Sequence, residues 1–238
     1  MDDVEAIAAL QDPVRRRLYE YVAGQAHDVG RAEAADAAGV QRTLAAFHLD
    51  RLTEVGLLEA VFRRPAGRTG PGAGRPAKLY RRSAAERVVS VPPRDYRAVA
   101  ALLAEVVETV GGEEVLERLA RVHGRSAGAA PPEAAQAEPR PEDGTGAAPD
   151  GAGDEVGDRV EAALAARGYE PYREGGRLRL RNCPFHALAA EFPPLVCGMN
   201  LALLEGLVEG LGATGVVARM DPRPGECCVV LDSKNNES

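Results

Sequence analysis

Between residues 127 and 153 the chain holds no Leu, Ile, Val, Phe, Tyr or Trp and consists mainly of Ala, Pro, Gly and acidic residues. A tract of that kind cannot bury enough apolar surface to offset the entropy lost on ordering it. A disordered linker over residues 125–154 is therefore predicted, and the chain must fold separately on either side of it. At 238 residues, one or two domains are expected. Hydrophobic residues make up 45% of the chain and aromatic residues 4%, without Trp, so the cores must be built mainly from Leu, Val and Ala.

Charge is also sorted along the chain. The net charge of -7 gives no global sign of a nucleic-acid partner, but residues 41–87 carry ten Lys or Arg against four Asp or Glu. Residues 125–158 reverse the balance, with two Arg against eight acidic residues. The acidic opening Met-Asp-Asp-Val-Glu lacks the apolar run of a signal peptide, and no stretch approaches the ~20 apolar residues of a membrane span. A cytoplasmic protein with no membrane partner is expected. In a reducing compartment four Cys, all beyond residue 180, point to metal binding or redox chemistry rather than disulfides.

The N-terminal part reads as helices followed by a hairpin. Asp12-Pro13 combines an N-cap residue with a Pro at the first helical position, and Val14, Leu18 and Val22 follow at helical spacing. Arg15, Arg16 and Arg17 lie on the outward side, and Gly24 is the stop. A short Ala-rich helix over residues 31–38 closes at Gly39, suited to a left-handed C-cap. A second helix over residues 42–55 has Ala45, Leu49 and Leu52 as its buried stripe. Strands are predicted over residues 57–62 and 78–81, joined by a Gly/Pro/Arg loop with nothing apolar to bury.

Helix, tight turn, helix is the geometry that places a helix in the major groove. The candidates to reach base edges are Gln41, Arg42, Thr43, Ala46 and His48. Arg63, Arg64, Arg68, Arg75 and Lys78 of the strands and loop would meet phosphates. Arg-rich loops are often only solvated surface. Here the loop directly follows the helix pair, which favours double-stranded DNA as partner.

Residues 93–110 and 113–123 are predicted as amphipathic helices. Tyr96, Val99, Leu103, Val106 and Val110 stripe the first, and Val115, Leu119 and Val122 the second. Such helices suit a homodimer, since two-fold operators call for two-fold proteins. Beyond the linker the predicted order is a helix at 156–164, a hairpin through Gly175-Gly176, helices at 184–192 and 194–211, and strands at 216–220 and 227–231.

The cysteines sit in this last part. Cys183 precedes a Pro-started helix and Cys197 lies in the first turn of the next, positions where the helix dipole favours thiolate. Cys227 and Cys228 open the predicted last strand, where neighbours point to opposite faces, so only one is expected to join the others. Three thiolates from three elements suit an iron–sulfur cluster, or zinc with His186 as a further ligand. A lone Cys is usually a small core residue; four within about 45 residues argue for a site. There is no Ser/His/Asp set, phosphate loop or paired-carboxylate motif, so a thiol or metal enzyme with an accessory DNA-binding domain is disfavoured, and no enzymatic activity is expected.

Two resemblances sharpen this reading. Asp12-Pro13-Val14-Arg15-Arg16-Arg17-Leu18, Phe47-His48-Leu49-Asp50-Arg51-Leu52 with Gly56-Leu57-Leu58, and Gly74-Arg75-Pro76-Ala77-Lys78-Leu79-Tyr80 resemble the ArsR-type winged helix-turn-helix group over residues 12–82. That resemblance implies a recognition helix at residues 42–55 and a wing, longer here than is usual for the group. Cys183-Pro184-Phe185, then Leu195-Val196-Cys197 with the apolar helix after it, resembles the C-terminal half of the SufR-like regulators. It implies a repressor of iron–sulfur assembly operons, with a cluster held by Cys183, Cys197 and either Cys227 or Cys228. The doubled Cys and His186 depart from that pattern and leave zinc or simple thiol redox chemistry as alternatives. The expected fold class is thus α+β: a winged helix-turn-helix domain at 1–90, dimerisation helices at 91–124, the linker at 125–154, and a small α+β sensor domain at 155–238.

Overall fold

The computed structural model describes residues 3–63, 76–92, 94–130 and 155–233. The fold is mixed α+β, and the chain divides into two compact units, Met1–Arg94 and Asp95–Ser238.

The first unit opens with helices α1 (Asp3–Ala9) and α2 (Pro13–Gly24). The Asp12 carboxylate accepts the Arg15 amide at 2.9 Å, so α2 starts where its cap residue predicts. A two-residue strand, β1 (Val29–Gly30), leads into α3 (Arg31–Ala38), then α4 (Arg42–Glu54), β2 (Leu58–Arg63) and β3 (Ala77–Arg82). Between α3 and α4, Gly39 adopts φ 64°, and its N–H meets the Ala35 and Asp36 carbonyls. Only a residue without Cβ takes that left-handed turn cheaply. The sheet is antiparallel in the order β1-β3-β2, with Val29 opposite Tyr80 and Leu58 opposite Arg82. Leu18, Val22, Ala34, Leu49, Leu52 and Tyr80 meet in one core. Elements α1 and β1 were not expected from the sequence, being too short to show a period.

The second unit contains α5 (Tyr96–Val110), α6 (Glu113–Ala129), α7 (Glu155–Ala165), β4 (Pro171–Glu174), β5 (Arg177–Leu180), α8 (His186–Ala189), α9 (Pro193–Gly210), β6 (Val216–Met220) and β7 (Val229–Ser233). Its antiparallel sheet runs β4-β5-β7-β6. Val160 and Leu164 of α7 and Leu204, Leu207 and Val208 of α9 pack on Leu180, Ala218, Val229 and Leu231 of the strands. The alternate strand positions carry charge. Arg179, only 2% exposed, meets Glu174 at 3.3 Å and also contacts Asp221 and Glu226.

The expected boundary at residue 124 is corrected here. Helix α6 continues to Ala129 and lies against α9 within the same unit. The contact is made by glycines, not by an aliphatic stripe. A Cβ at Gly124 would lie 2.0 Å from the Leu203 carbonyl oxygen, and one at Gly206 would lie 2.0 Å from that of Arg121. Cβ atoms at Gly128 and Gly210 would lie 2.4 Å from the Leu207 oxygen and 2.1 Å from that of Arg125. Gly128, in a stretch predicted to have nothing to bury, thus packs against backbone. The outer side of α5 is left exposed, with Val99, Leu103, Val106 and Val110 toward solvent. The rest of the expected linker lies outside the described residues, as do Arg64, Arg68 and Arg75 of the loop. Among the described residues no helix is long and apolar enough to cross a membrane.

Candidate functional site

Two places concentrate chemistry. The first surrounds the start of α4. Its cap residue Gln41 makes no side-chain cap bond, and Gln41, Arg42 and Thr43 are exposed, with Ala46 half-buried. Beside them opens a shallow hollow of about 450 Å³, lined by Gly30, Arg31, Arg42, Thr43, Ala46 and Lys78 among others. Arg31 was not singled out from the sequence; it enters because β1 delivers the first residue of α3 to the edge of the hollow. Neither Arg31 nor Arg42 enters an ion pair among the described residues. Lys78 does, with Asp50 at 2.6 Å, and Arg63 pairs with Asp28 at 2.8 Å.

Asp50 ties the hollow to the core, because the Tyr80 hydroxyl also donates to it at 2.8 Å. Partial burial works against ionising Asp50, but the Lys78 and Tyr80 hydrogen bonds outweigh it and hold the carboxyl below its ordinary 3.8. Burial of Tyr80, together with the same contact, raises its phenol. His48 does not belong to this surface, contrary to expectation. It is 5% exposed, and its Nδ1 accepts the Arg15 Nε–H at 3.3 Å. The reason is helical phase: position 48 lies beside Ala45 and Leu52 on the inward side. The ring instead supports Phe47, edge to face, with centroids 5.4 Å apart.

The second place gathers all four cysteines, from the loop after β5, the start of α9 and the loop before β7. Cys183 and Cys228 lie close enough to the Cys227 sulfur to bear on its ionisation, and Cys197 bears in the same way on Cys228. Cys227 and Cys228 precede the last strand instead of opening it, since β7 begins at Val229. Strand alternation therefore does not apply to them, and both face the cluster. The Cys227 N–H is held by the Leu180 carbonyl at 3.0 Å and the Cys228 carbonyl by the Asp221 N–H at 2.8 Å, which fixes this turn of chain.

The thiol donors from Cys183 and Cys228 pull Cys227 strongly toward thiolate, against the opposing effect of burial. The expected effect of the helix start on Cys183 survives only as the Phe185 N–H, and it is outweighed: the neighbouring Cys227, then burial, push this thiol up. Helix α8 spans only four residues, so the competing field at its start is weak. Asn200, missed at the sequence level, completes the group. It is fully buried on α9, its Nδ2 donates to the Cys227 sulfur at 3.3 Å, and its Oδ1 accepts from the Tyr169 hydroxyl at 2.5 Å. Its only sequence signal is a polar residue inside the apolar run of that helix. His186 stands apart, exposed at the start of α8.

Comparisons with protein-family models, with curated proteins and with solved structures found no match to this chain. The site's own chemistry must carry the reading. Four sulfurs, one biased toward thiolate, are a donor set that suits an iron–sulfur cluster or zinc. Among the described residues, however, no three His, Cys, Asp or Glu side chains form a ready-made ion site. Sulfurs close to one another suit a single tetrahedral ion such as zinc, whereas an iron–sulfur cluster would need them to move farther apart.

Proposed function

We propose that the protein is a DNA-binding transcriptional regulator whose cysteine cluster controls its affinity for an operator. The first unit acts as a winged helix-turn-helix, with α4 as recognition helix and β2–β3 as the base of the wing. The observation that carries this is the cationic hollow of Arg31, Arg42 and Lys78 beside the uncapped, exposed start of α4. Helix N–H groups and guanidinium groups at such a place suit phosphate oxygens, while Gln41, Arg42 and Thr43 are free to meet base edges. A homodimer in the cytoplasm, joined through the exposed apolar side of α5, would match a two-fold site.

The sensing part of the proposal rests on the gathering of four cysteines, with Cys183 and Cys228 beside Cys227 and Cys197 beside Cys228. Cys183, Cys197, Cys227 and Cys228 would hold an iron–sulfur cluster, which supplies a one-electron and oxidant-sensitive centre when bound. The chain's own part is to keep a thiolate in a dry site, with the Asn200 N–H aimed at it, and to hold that group between α9 and the last strand. By linkage, the bound group alters DNA affinity only through a difference in its own affinity for the two DNA-binding states. The mutual contact of the thiols is the observation that favours a second reading, zinc or a metal-free thiol switch.

Anaerobic purification with an absorption spectrum and iron, sulfide and zinc analysis tests the sensor. A brown protein with matched iron and sulfide is expected; colourless protein holding zinc moves the assignment to the second reading. Selection of duplexes from a random pool by the purified chain tests the DNA interface. An enriched sequence is expected, and binding that survives Ala at both Arg31 and Arg42 would overturn the placement.

A further inference from the structure

We infer that Phe47, with Leu44 beside it, reads the methyl groups of thymines in the major groove, which makes it a specificity-determining residue of the interface proposed above. The inference rests on that DNA-binding reading and adds what the interface recognises.

Successive residues of an α-helix are about 100° apart in projection. In α4 the buried residues Ala45, His48, Leu49 and Leu52 define the inward direction. The opposite direction is occupied by Thr43 and Phe47, which lie within about 40° of each other. Phe47 is 64% exposed and Leu44 42% exposed, both on the helix whose first turn borders the hollow. The outward face of α4 therefore presents a phenyl ring where a solvated helix would carry a polar residue.

The ring is also held in place from behind. It rests edge to face on His48, at an interplanar angle of 69°. His48 is fixed by the Arg15 Nε–H, and Arg15 is anchored by the Ala9 carbonyl at 3.1 Å and by the Asp12 cap on its amide. The aromatic contact is thus tied to the start of α2 and does not depend on α4 alone.

Charge bears on the occupant. The hollow of Arg31, Arg42 and Lys78 opens on one side of this face, where Thr43 lines it one turn before Phe47, so a partner that covers both presents anions beside an apolar spot. Duplex DNA does so: phosphates border the major groove, and thymine alone among the standard bases places a methyl group there.

The test uses the full-length chain and the duplex it enriches from a random pool, with each thymine replaced singly by deoxyuridine. Loss of one buried methyl predicts about a fourfold fall in affinity at one or two thymines and no change elsewhere. With Phe47→Ala, whose side chain supports no core, those positions become indifferent to the replacement while salt-sensitive binding persists. Tolerance of deoxyuridine at every position overturns the inference, as does methyl discrimination that survives in Phe47→Ala. A pool that yields no enriched sequence removes the DNA-binding reading and this inference together. Self-association lost in Phe47→Ala reassigns the face to a second copy.

Discussion

At Cys227 a sulfur that is 2% exposed is pressed toward its charged form inside a core. Burial alone would keep it neutral; the two thiol donors and the Asn200 amide reverse that preference. Asn200 can aim its N–H at sulfur only because Tyr169 occupies its oxygen, which fixes the amide's orientation. If the site holds zinc or a cluster, Asn200→Leu should weaken zinc binding ~10–100-fold in competition with a chromophoric chelator. Tyr169→Phe should have a smaller effect in the same direction, and unchanged affinity in both would make Asn200 a core residue only. Asp50 makes a different prediction. Its carboxyl is held below the ordinary 3.8, so its contribution to stability is complete above that value. As pH falls through 3.8 toward the lowered value, the contribution is lost. Asp50→Asn should flatten this part of the acid-unfolding curve of the first unit, measured by circular dichroism.

Among the elements, the close approach of α6 and α9 depends on glycine more than on any side chain. An Ala at 206 would place its Cβ 2.0 Å from a backbone oxygen that cannot swing aside. Gly206→Ala should destabilise the second unit by ~1–3 kcal/mol or more in a denaturant titration. Gly24→Ala, where nothing lies within 4 Å, serves as a control and should be neutral or slightly stabilising. The same contrast shows which features could be read in the sequence. Helix α4 was legible because Ala45, Leu49 and Leu52 repeat at helical spacing, and β6 because turn residues bound it. The contact of α6 with α9 was not legible, since a search for apolar stripes does not register Gly124 or Gly128 as interface residues. His48 was misread because it falls at the margin of the buried stripe, where a turn of a few degrees decides exposure. The cysteine cluster was visible as a group, but its internal arrangement depended on β7 starting two residues later than expected.

Across the whole molecule, the exposed side of α5 carries Val99, Leu103, Val106 and Val110, an apolar row long enough to serve as one half of a two-fold contact. On the dimer reading, Leu103→Glu should yield monomers in sedimentation and weaken operator binding. A mutant that remains dimeric would place the contact elsewhere. The ion pairs around the hollow bear on binding in another way. Lys78 and Arg63 already pair with Asp50 and Asp28, whereas Arg31 and Arg42 are in no ion pair among the described residues. A phosphate that reaches Lys78 displaces a carboxylate, one anion exchanged for another. At Arg31 or Arg42 a phosphate adds a new neutralising contact, and the ions condensed on the DNA there are set free. The plot of log affinity against log salt should therefore record about two released ions per chain from these four cations, a slope near −2 instead of −4. Arg42→Ala should remove about one unit of that slope and Lys78→Ala almost none, so the internal pairing sets how strongly ionic strength governs occupancy of the operator.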